Sequence, residues 1–433
     1  MSIFKAKRYA YGVHVPDNKD LCKNCPIENA PSPEKVFISL SQHIGAPATC
    51  VVNQGDYVKK GQLIGKESGF VSANVYSSVS GVAESVCDIV NGLGQKQTHV
   101  VIANDYKDDE VLLNPMADTE KQSIIDRIRL AGIVGLGGAG FPTAVKLSPK
   151  NQLDTLIING AECEPYLNCD NRLMIERHND VYKGIMYTAK ALGVDNIIVG
   201  IEANKPEAIE IFSKYENIKV AILKKQYPMG SEKHLIYCAT GRKVPVGKMP
   251  FDVSVCVQNI KTMIAVFEAV ELNKPLTEIV MTVSGRAITN PKNLKVRIGT
   301  PFTNLIDYCG GNSKNVKKAI AGGPMMGRAL ANLNHYVKKT DSGLLLLSEK
   351  EADTSEPTNC INCAVCAKNC PMRLMPMYIE SYALAGDYLN AEKYGAMNCI
   401  ECGSCAFNCP AKRPLVQSIN MAKSKIKEMK SNG

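Results

Sequence analysis

The sequence predicts a multidomain α/β protein: a β-rich N-terminal region, a central stretch of alternating strands and helices, a second β-rich stretch and a cysteine-rich helical end. Three observations carry that reading. The chain has 433 residues, enough for two to four domains with cores of their own. Short apolar stretches separated by turn signals fill residues 36–103, and from about 119 to 272 they give way to helix and strand patterns in alternation. Of the 17 cysteines, eight fall in two runs of matching spacing near the C-terminus.

Composition narrows the class. Hydrophobic residues make up 45% and charged residues 21%, ordinary for a soluble chain and unlike a disordered or fibrous one. No apolar run approaches the ~18–20 residues that span a bilayer, and residues 1–10 are charged with no apolar h-region, so neither a membrane span nor a signal peptide is expected. Membrane association would then come through partners. An odd cysteine count in a long chain argues against a secreted disulfide scaffold and for a reducing compartment with metal-bound thiolates. Residues 411–433 carry six Lys/Arg against one Glu. A solvated helix face explains this, and a docking surface for an acidic partner or an anionic membrane is the alternative. No Lys/Arg stripe is interleaved with aromatics, so no nucleic-acid partner is expected.

The elements follow in order. Turn signals at Gly45-Ala46-Pro47, Asn53-Gln54-Gly55-Asp56, Lys60-Gly61 and Ser80-Gly81 punctuate the first β region. The string from Gly55 to Ile64 resembles the hairpin of biotinyl and lipoyl domains. Those carriers need a lysine on an exposed turn. None lies between Lys66 and Lys96, which implies a barrel-sandwich relative without the prosthetic arm. Residues 124–130 read as a helix ended by Gly132, and 154–159 as a buried-type strand. A helix over 172–192 stops at Gly193, a strand covers 197–201, a helix with Pro206 in its first turn covers 205–215, and a strand covers 220–223. Such alternation implies a largely parallel sheet. Residues 278–323 return to short β segments around Gly285, Gly299 and Gly310-Gly311, and 353–358 is a polar linker.

The strongest chemistry is in the cysteines. Cys360-x2-Cys363-x2-Cys366-x3-Cys370-Pro371 is repeated 39 residues later as Cys399-x2-Cys402-x2-Cys405-x3-Cys409-Pro410. This is the spacing of two-cluster [4Fe–4S] ferredoxins, in which three thiolates wrap one cubane and the fourth reaches the other. One cluster would use Cys360, Cys363, Cys366 and Cys409, the other Cys399, Cys402, Cys405 and Cys370. Zinc usually takes two CxxC pairs with a longer gap. Residues 372–398 are rich in helix formers, so the module should be a helical ferredoxin-like unit. One-electron centres are wires, and a wire needs a terminus.

A terminus is offered by Gly135-Leu136-Gly137-Gly138-Ala139-Gly140-Phe141-Pro142, which fits G-x-G-x-x-G and opens toward a helix with Pro142 suited to its first position. By itself such a loop is a weak signal, equally a plain tight turn. The strand after it ends in Asn159-Gly160-Ala161-Glu162-Cys163-Glu164-Pro165, and acidic groups at a strand end beside a glycine loop suit a nucleotide.

These residues carry a resemblance. Gly137 to Pro142 with Lys146, then Asn159 to Pro165, then Tyr227-Pro228-Met229-Gly230-Ser231-Glu232, then Gln258-Asn259-Ile260-Lys261-Thr262 occur in the order found in the flavin subunit of respiratory complex I. The whole chain resembles the RnfC family, the NADH- and FMN-binding iron–sulfur subunits of Rnf complexes. It shares Gly12-Val13-His14, Gln42-His43-Ile44-Gly45-Ala46-Pro47, Ala321-Gly322-Gly323-Pro324-Met325-Met326-Gly327 and the double cluster. The resemblance implies four domains: a barrel-sandwich region over 1–110, a Rossmann-like FMN and NAD(H) domain over 111–275, an SLBB β-grasp domain over 276–350 and a dicluster domain over 351–433. It implies FMN on the loop of Gly135, Gly137, Gly138 and Gly140, with Lys146 and Asn259 at the phosphate and ribityl end and Asn159 beside the ring. Glu162 and Glu164 would lie at the flavin–nicotinamide interface as the catalytic pair, with Phe141, Tyr227, Gly230 and Glu232 helping to hold the nucleotides. Leu136 and Ala161 stand where the complex I flavin protein has Arg and Asp.

The implied activity is reversible transfer from reduced ferredoxin, relayed by a polyferredoxin-type subunit, through the clusters and FMN to NAD⁺. The chain would sit on the cytoplasmic face of integral membrane subunits that move Na⁺ or H⁺. Flavin exchanges hydride with nicotinamide and single electrons with clusters, so the protein's task is placement more than acid–base chemistry. A soluble cobalamin-type flavin reductase and a non-enzymatic electron wire with a decayed flavin pocket are the rival readings. Glu162 and Glu164 have a blander reading as helix caps. The third CxxC, Cys22-x2-Cys25, reads as idle or structural, with a metal site as the alternative. Cys163 and Cys169 read as small buried hydrophobes.

Overall fold

The structure, a computed structural model, describes residues 2–311 and 315–431. Residues 1, 312–314 and 432–433, the last two closing the basic tail, lie outside the described residues.

The central unit is a five-stranded sheet, every pairing parallel, in the order Ser2–Lys5, Lys219–Leu223, Asn196–Glu202, Thr155–Gly160, Val255–Asn259. Its inner strands are apolar on both sides, as a sheet covered on both faces requires. Alternate residues divide between two cores. Leu156, Ile158, Ile197 and Val199 face a layer that includes Val181, Ile185, Met263 and Val266, from the helices His178–Leu192 and Ile260–Glu271. Ile157, Ile198, Val255 and Val257 face Leu235, Ile236 and Ala239 of the helix Glu232–Thr240. The edge strand comes from the extreme N-terminus, a placement that no local pattern announces.

Chain order through this sheet matters for the site. From Thr155–Gly160 the chain steps outward through Asn196–Glu202 to Lys219–Leu223. It then returns to lay Val255–Asn259 on the opposite side of Thr155–Gly160. Strand order therefore reverses at Thr155–Gly160, which sets the carboxyl ends of that strand and of Val255–Asn259 side by side.

The helix expected over 172–192 is two helices, Cys169–Glu176 and His178–Leu192. Arg177 leaves the helical region at φ −124°, ψ 31°. Its guanidinium pairs with Asp180 and with Glu268 of the neighbouring helix, both at 2.8 Å. The join, Arg177-His178-Asn179-Asp180, holds weak helix formers, so tertiary ion pairing outweighs continuity there.

The flanking units are chiefly β, the third sheet below being joined by one helix, Phe302–Tyr308. Strands Lys35–Ser39, Lys96–Asn104, Gly81–Val90 and Tyr57–Val58 form one sheet, and Thr49–Cys50, Leu63–Lys66 and Val75–Tyr76 a smaller one. A third is ordered Arg328–Ala329, Lys318–Ala321, Gly343–Leu347, Glu278–Ser284, Lys292–Arg297, Ile27–Asn29, so the N-terminal stretch also contributes an edge strand here.

The C-terminal module packs helices Pro376–Leu384, Tyr388–Lys393 and Leu415–Ser431 around Ile379, Ala383, Ala391, Ile419, Ala422 and Ile426. Lys425, Lys427 and Lys430 of the last helix are exposed, Lys425 pairing with Glu428 and Lys430 with Glu392, whereas Lys423 turns inward to the Cys399 carbonyl and Glu401. No helix among the described residues is long and apolar enough to cross a membrane.

Candidate functional site

Asn159 and Asn259 end the two neighbouring strands side by side, paired in register. Over them lies the glycine loop. It is closed by the Gly135 N–H donating to the Phe141 carbonyl at 2.9 Å and by a bridge between Val134 and Pro142. The helix expected to follow is a single turn, Thr143–Lys146, with Pro142 just before it. Gly137 has φ +87°, and a Cβ there would stand 3.2 Å from the Asn259 amide; a Cβ on Gly138 would meet nothing within 4 Å. Residues 137–139 are exposed, so this part of the loop offers open backbone beside the strand ends. Leu136 turns inward, buried, with its N–H donating to Thr262 Oγ1 at 3.0 Å. The position that holds arginine in the complex I flavin protein therefore serves packing.

Side chains lock this corner. Asn159 Nδ2 donates to the Gly230 carbonyl at 2.8 Å, and its Oδ1 accepts the Ala161 N–H. Asn259 Oδ1 accepts the Lys261 N–H and caps the helix Ile260–Glu271, while its Nδ2 donates to Asp170 Oδ2 at 2.8 Å. Lys146 reaches across to Glu232 at 2.8 Å. Burial works against its charge, yet the Glu232 carboxylate holds the ammonium above its ordinary range. Phe141 is half-buried at the loop's end.

The acidic segment is turned inward. Glu162, at φ +45°, is buried and accepts the N–H groups of Asp170 (2.7 Å) and Asn171 (3.3 Å), with Lys19 at 3.7 Å. Its carboxylate thus caps the helix Cys169–Glu176, and burial pushes its pKa up. Glu164 accepts the N–H groups of Met325 (3.1 Å) and Met326 (2.8 Å), and burial pushes it up to about 6. A Cβ on Gly323 would lie 2.3 Å from Glu164 Oε2, so the Gly322-Gly323-Pro324 turn needs glycine to admit this carboxylate. Tyr227 is buried beside it, and the Gly230 N–H donates to Cys163 Sγ at 3.3 Å.

Sequence reasoning missed Asp170, the buried carboxylate bonded to Asn259, and Lys19, which faces Glu162. Both belong to segments brought in by tertiary folding, and no motif marks them. Ala161, where the complex I flavin protein has Asp, is buried, its carbonyl accepting from Lys205 Nζ at 2.6 Å.

In the C-terminal module one small cavity is lined by Cys360, Cys363, Cys366 and Cys409. A second is lined by Cys370, Cys399, Cys402 and Cys405. Apolar side chains complete each, among them Met377 and Leu415 in the first and Leu374 and Ile419 in the second. The Leu374 N–H donates to Cys370 Sγ (3.3 Å) and the Glu401 N–H to Cys399 Sγ (3.4 Å). Four convergent thiols in an apolar cavity with amide donors to sulfur fit an iron–sulfur cluster. The open glycine backbone, Lys146 and the paired strand-end amides fit a nucleotide. Cys22 is buried, accepts from Asn168 Nδ2 at 3.2 Å, and is pushed up to about 11 by burial, as suits a structural thiol.

Comparison with known proteins agrees with this layout. Residues 128–268 match the Nuo51 FMN-binding domain, 7–107 the RnfC barrel sandwich hybrid domain, 280–329 the SLBB domain and 352–424 the 4Fe-4S dicluster domain. A flavin domain joined to iron–sulfur wiring defines an electron-transfer oxidoreductase. The chain is 48% identical to the RnfC-type component of the proton-translocating ferredoxin:NAD(+) oxidoreductase complex of Clostridium ljungdahlii, covering 96% of this chain and 94% of that one. It is 44% identical to the corresponding component of the ion-translocating oxidoreductase complex of Rhodobacter capsulatus (97% and 83%). It is 41% identical to that of the Na(+)-translocating ferredoxin:NAD(+) oxidoreductase complex of Acetobacterium woodii (98% and 98%). The chain belongs to this family, the RnfC components of Rnf-type complexes.

Proposed function

We propose that the chain exchanges electrons between one-electron iron–sulfur carriers and NAD(H), through two [4Fe–4S] clusters and one FMN, as a peripheral subunit of an ion-translocating membrane complex. Ferredoxin would be the distant donor, reached through a polyferredoxin-type subunit, and the complex's integral membrane subunits would anchor the chain at the cytoplasmic face. The observation that carries this reading is the joining of two four-cysteine cavities to a pair of neighbouring strand ends, Asn159 and Asn259, with an open glycine backbone beside them.

When bound, FMN supplies the interchange between hydride and single electrons. The chain's own residues orient and enclose it. The exposed backbone of Gly137 and Gly138 would face the phosphate, with Gly135 and Gly140 shaping the loop, and Lys146, paired with Glu232, would bring a cation to that end. Asn259, fixed by Asp170, would hold the ribityl chain. Asn159, held by Gly230, would face the ring. Tyr227 and Phe141 would flank the nucleotides. Glu164, raised to about 6 by burial yet still mostly ionised at neutral pH, is held by the Met325 and Met326 N–H groups, and Glu162 braces the segment by capping the helix Cys169–Glu176. Placement of this kind supplies most of the barrier reduction in hydride transfer.

The test is anaerobic reconstitution with iron, sulfide and FMN, followed by NADH. Bleaching of the visible flavin absorbance is expected, and an unchanged spectrum overturns the reading. Glu164→Gln is expected to weaken NADH-driven bleaching more than FMN retention. Equal loss of both would contradict a role for Glu164 at the nicotinamide side.

A further inference from the structure

The two four-cysteine cavities are not equivalent in their surroundings. The cavity of Cys370, Cys399, Cys402 and Cys405 lies against the candidate flavin site. The Tyr227 hydroxyl donates to the Cys402 carbonyl at 2.7 Å. A Cβ on Gly403 would meet the Met325 carbonyl oxygen at 2.5 Å, so the two backbones are in contact. Cys402 shares one apolar cluster with Val13 and Tyr227, against which Cys163 and Met325 pack. Pro371, next to Cys370, has its carbonyl held by the Tyr9 hydroxyl and by His234 Nε2. Tyr227, Cys163 and Met325 are the residues that surround Glu164 and Gly230. One layer of protein therefore separates this cavity from the strand end at Asn159, which is bonded to Gly230.

The cavity of Cys360, Cys363, Cys366 and Cys409 faces the other way. Cys360 and Cys363 are exposed, and Ile361 between them is 65% exposed. The segment leading into it is held within its own module, by the Thr358 N–H donating to the Ala411 carbonyl. An exposed apolar side chain flanked by two exposed thiols makes an open rim, with Arg413 among the residues that line the cavity.

We infer that the set Cys370, Cys399, Cys402 and Cys405 holds the flavin-side cluster, and that the set Cys360, Cys363, Cys366 and Cys409 holds the outer cluster, whose Cys360–Cys363 rim meets the one-electron iron–sulfur partner. This order rests on the functional reading above and adds direction to it. The electrons balance. A hydride leaving NADH carries two electrons, and they pass one at a time to the inner set and then to the outer set. Each is taken up by one turnover of the one-electron carrier. In reverse, two single electrons and one proton from solvent restore the hydride on NAD⁺. Electron transfer weakens steeply with distance, so the set in contact with the flavin-side residues exchanges with the flavin and the exposed set with the partner.

The test uses the full chain, loaded with iron and FMN, as wild type and as Cys363→Ala and Cys399→Ala. Electron paramagnetic resonance is recorded after anaerobic NADH and again after dithionite. The remaining cluster of Cys363→Ala should be reduced by NADH. That of Cys399→Ala should be reduced by dithionite and by NADH at least tenfold less. The opposite pattern, or equal reduction by NADH in both, overturns the order. Bleaching of flavin by NADH, followed in the same samples, separates the two ideas: bleaching with the opposite cluster pattern sinks the order alone, and no bleaching in the wild type sinks the functional reading and the order together. A second measurement needs no variant. During slow iron chelation of the wild type, alkylation mapped by mass spectrometry should label Cys360 and Cys363 before Cys399 and Cys402, and the reverse sequence overturns the assignment.

Discussion

Lys339 is 1% exposed and has no carboxylate partner among the described residues; its Nζ donates to the carbonyls of Asn74 and Gly132, at 2.6 and 2.8 Å. Burial pulls its pKa down to about 7. The unfolded chain binds this proton up to about pH 10.4, so between about 7 and 10 the unfolded state holds more protons than the folded one. Stability from this group therefore rises with pH across that window and is lost as pH falls through 7. Lys339→Met should flatten the dependence, removing a slope worth on the order of a few kcal/mol between pH 7 and 10, as urea unfolding at both pH values would measure. An unchanged slope would mean that Lys339 is charged throughout. Nothing in the local sequence marks this lysine. Asp170 and Lys19 were equally invisible, because a buried charge is defined by what folds over it. The cysteines were legible because ligand spacing is a local property of the chain.

At the scale of elements, the glycine loop is the part whose conformation matters most. Gly137 at φ +87° against Asn259 leaves no room for a side chain without strain. Gly137→Ala should cost about 1–3 kcal/mol locally and weaken FMN retention by tenfold or more in fluorescence titration. Unchanged retention would place the flavin away from this loop. The loop's motif suggested a longer helix behind it, whereas the chain forms one turn before Leu147 enters the core. The opposite edge of the same sheet depends on Ser2–Lys5, paired residue by residue with Lys219–Ile222. Deleting residues 2–5 unpairs a parallel strand and bares an edge. A fall in thermal midpoint of roughly 2–4 °C per kcal/mol lost is expected by calorimetry, and no shift would mean that the strand is an ornament. Turn signals and apolar runs announced the inner strands. The N-terminal strand, four residues among lysines, carried no such signal.

At the scale of the molecule, the C-terminal module has a small core, chiefly alanine and isoleucine between three helices. Such a core is thin support, and the cysteine sets must supply the rest when they bind metal. Removing iron should lower the midpoint of this module while leaving the α/β sheet's transition in place. Two calorimetric transitions that separate after chelation, with proteolysis confined to residues beyond the linker, would demonstrate it; a single unshifted transition would refute it. The module is moored to the flavin side by Tyr227 on Cys402 and by Tyr9 and His234 on Pro371, and Arg373 lies 5.1 Å over the ring of Tyr11.

The sequence by itself determined the chemistry in kind. Thiolate spacing, a glycine loop and an ordered set of family motifs are all short-range patterns, and each survives translation into residues without knowledge of the fold. Only the tertiary structure decided the arrangement. It put Asn159 beside Asn259 at the reversal of strand order, recruited Asp170 and Lys19, gave the sheet an edge from the first residues and brought one cysteine set, and not the other, against Tyr227. These are contacts between segments tens to hundreds of residues apart. They are fixed by which surfaces bury together, a property of the whole chain that no window of sequence contains.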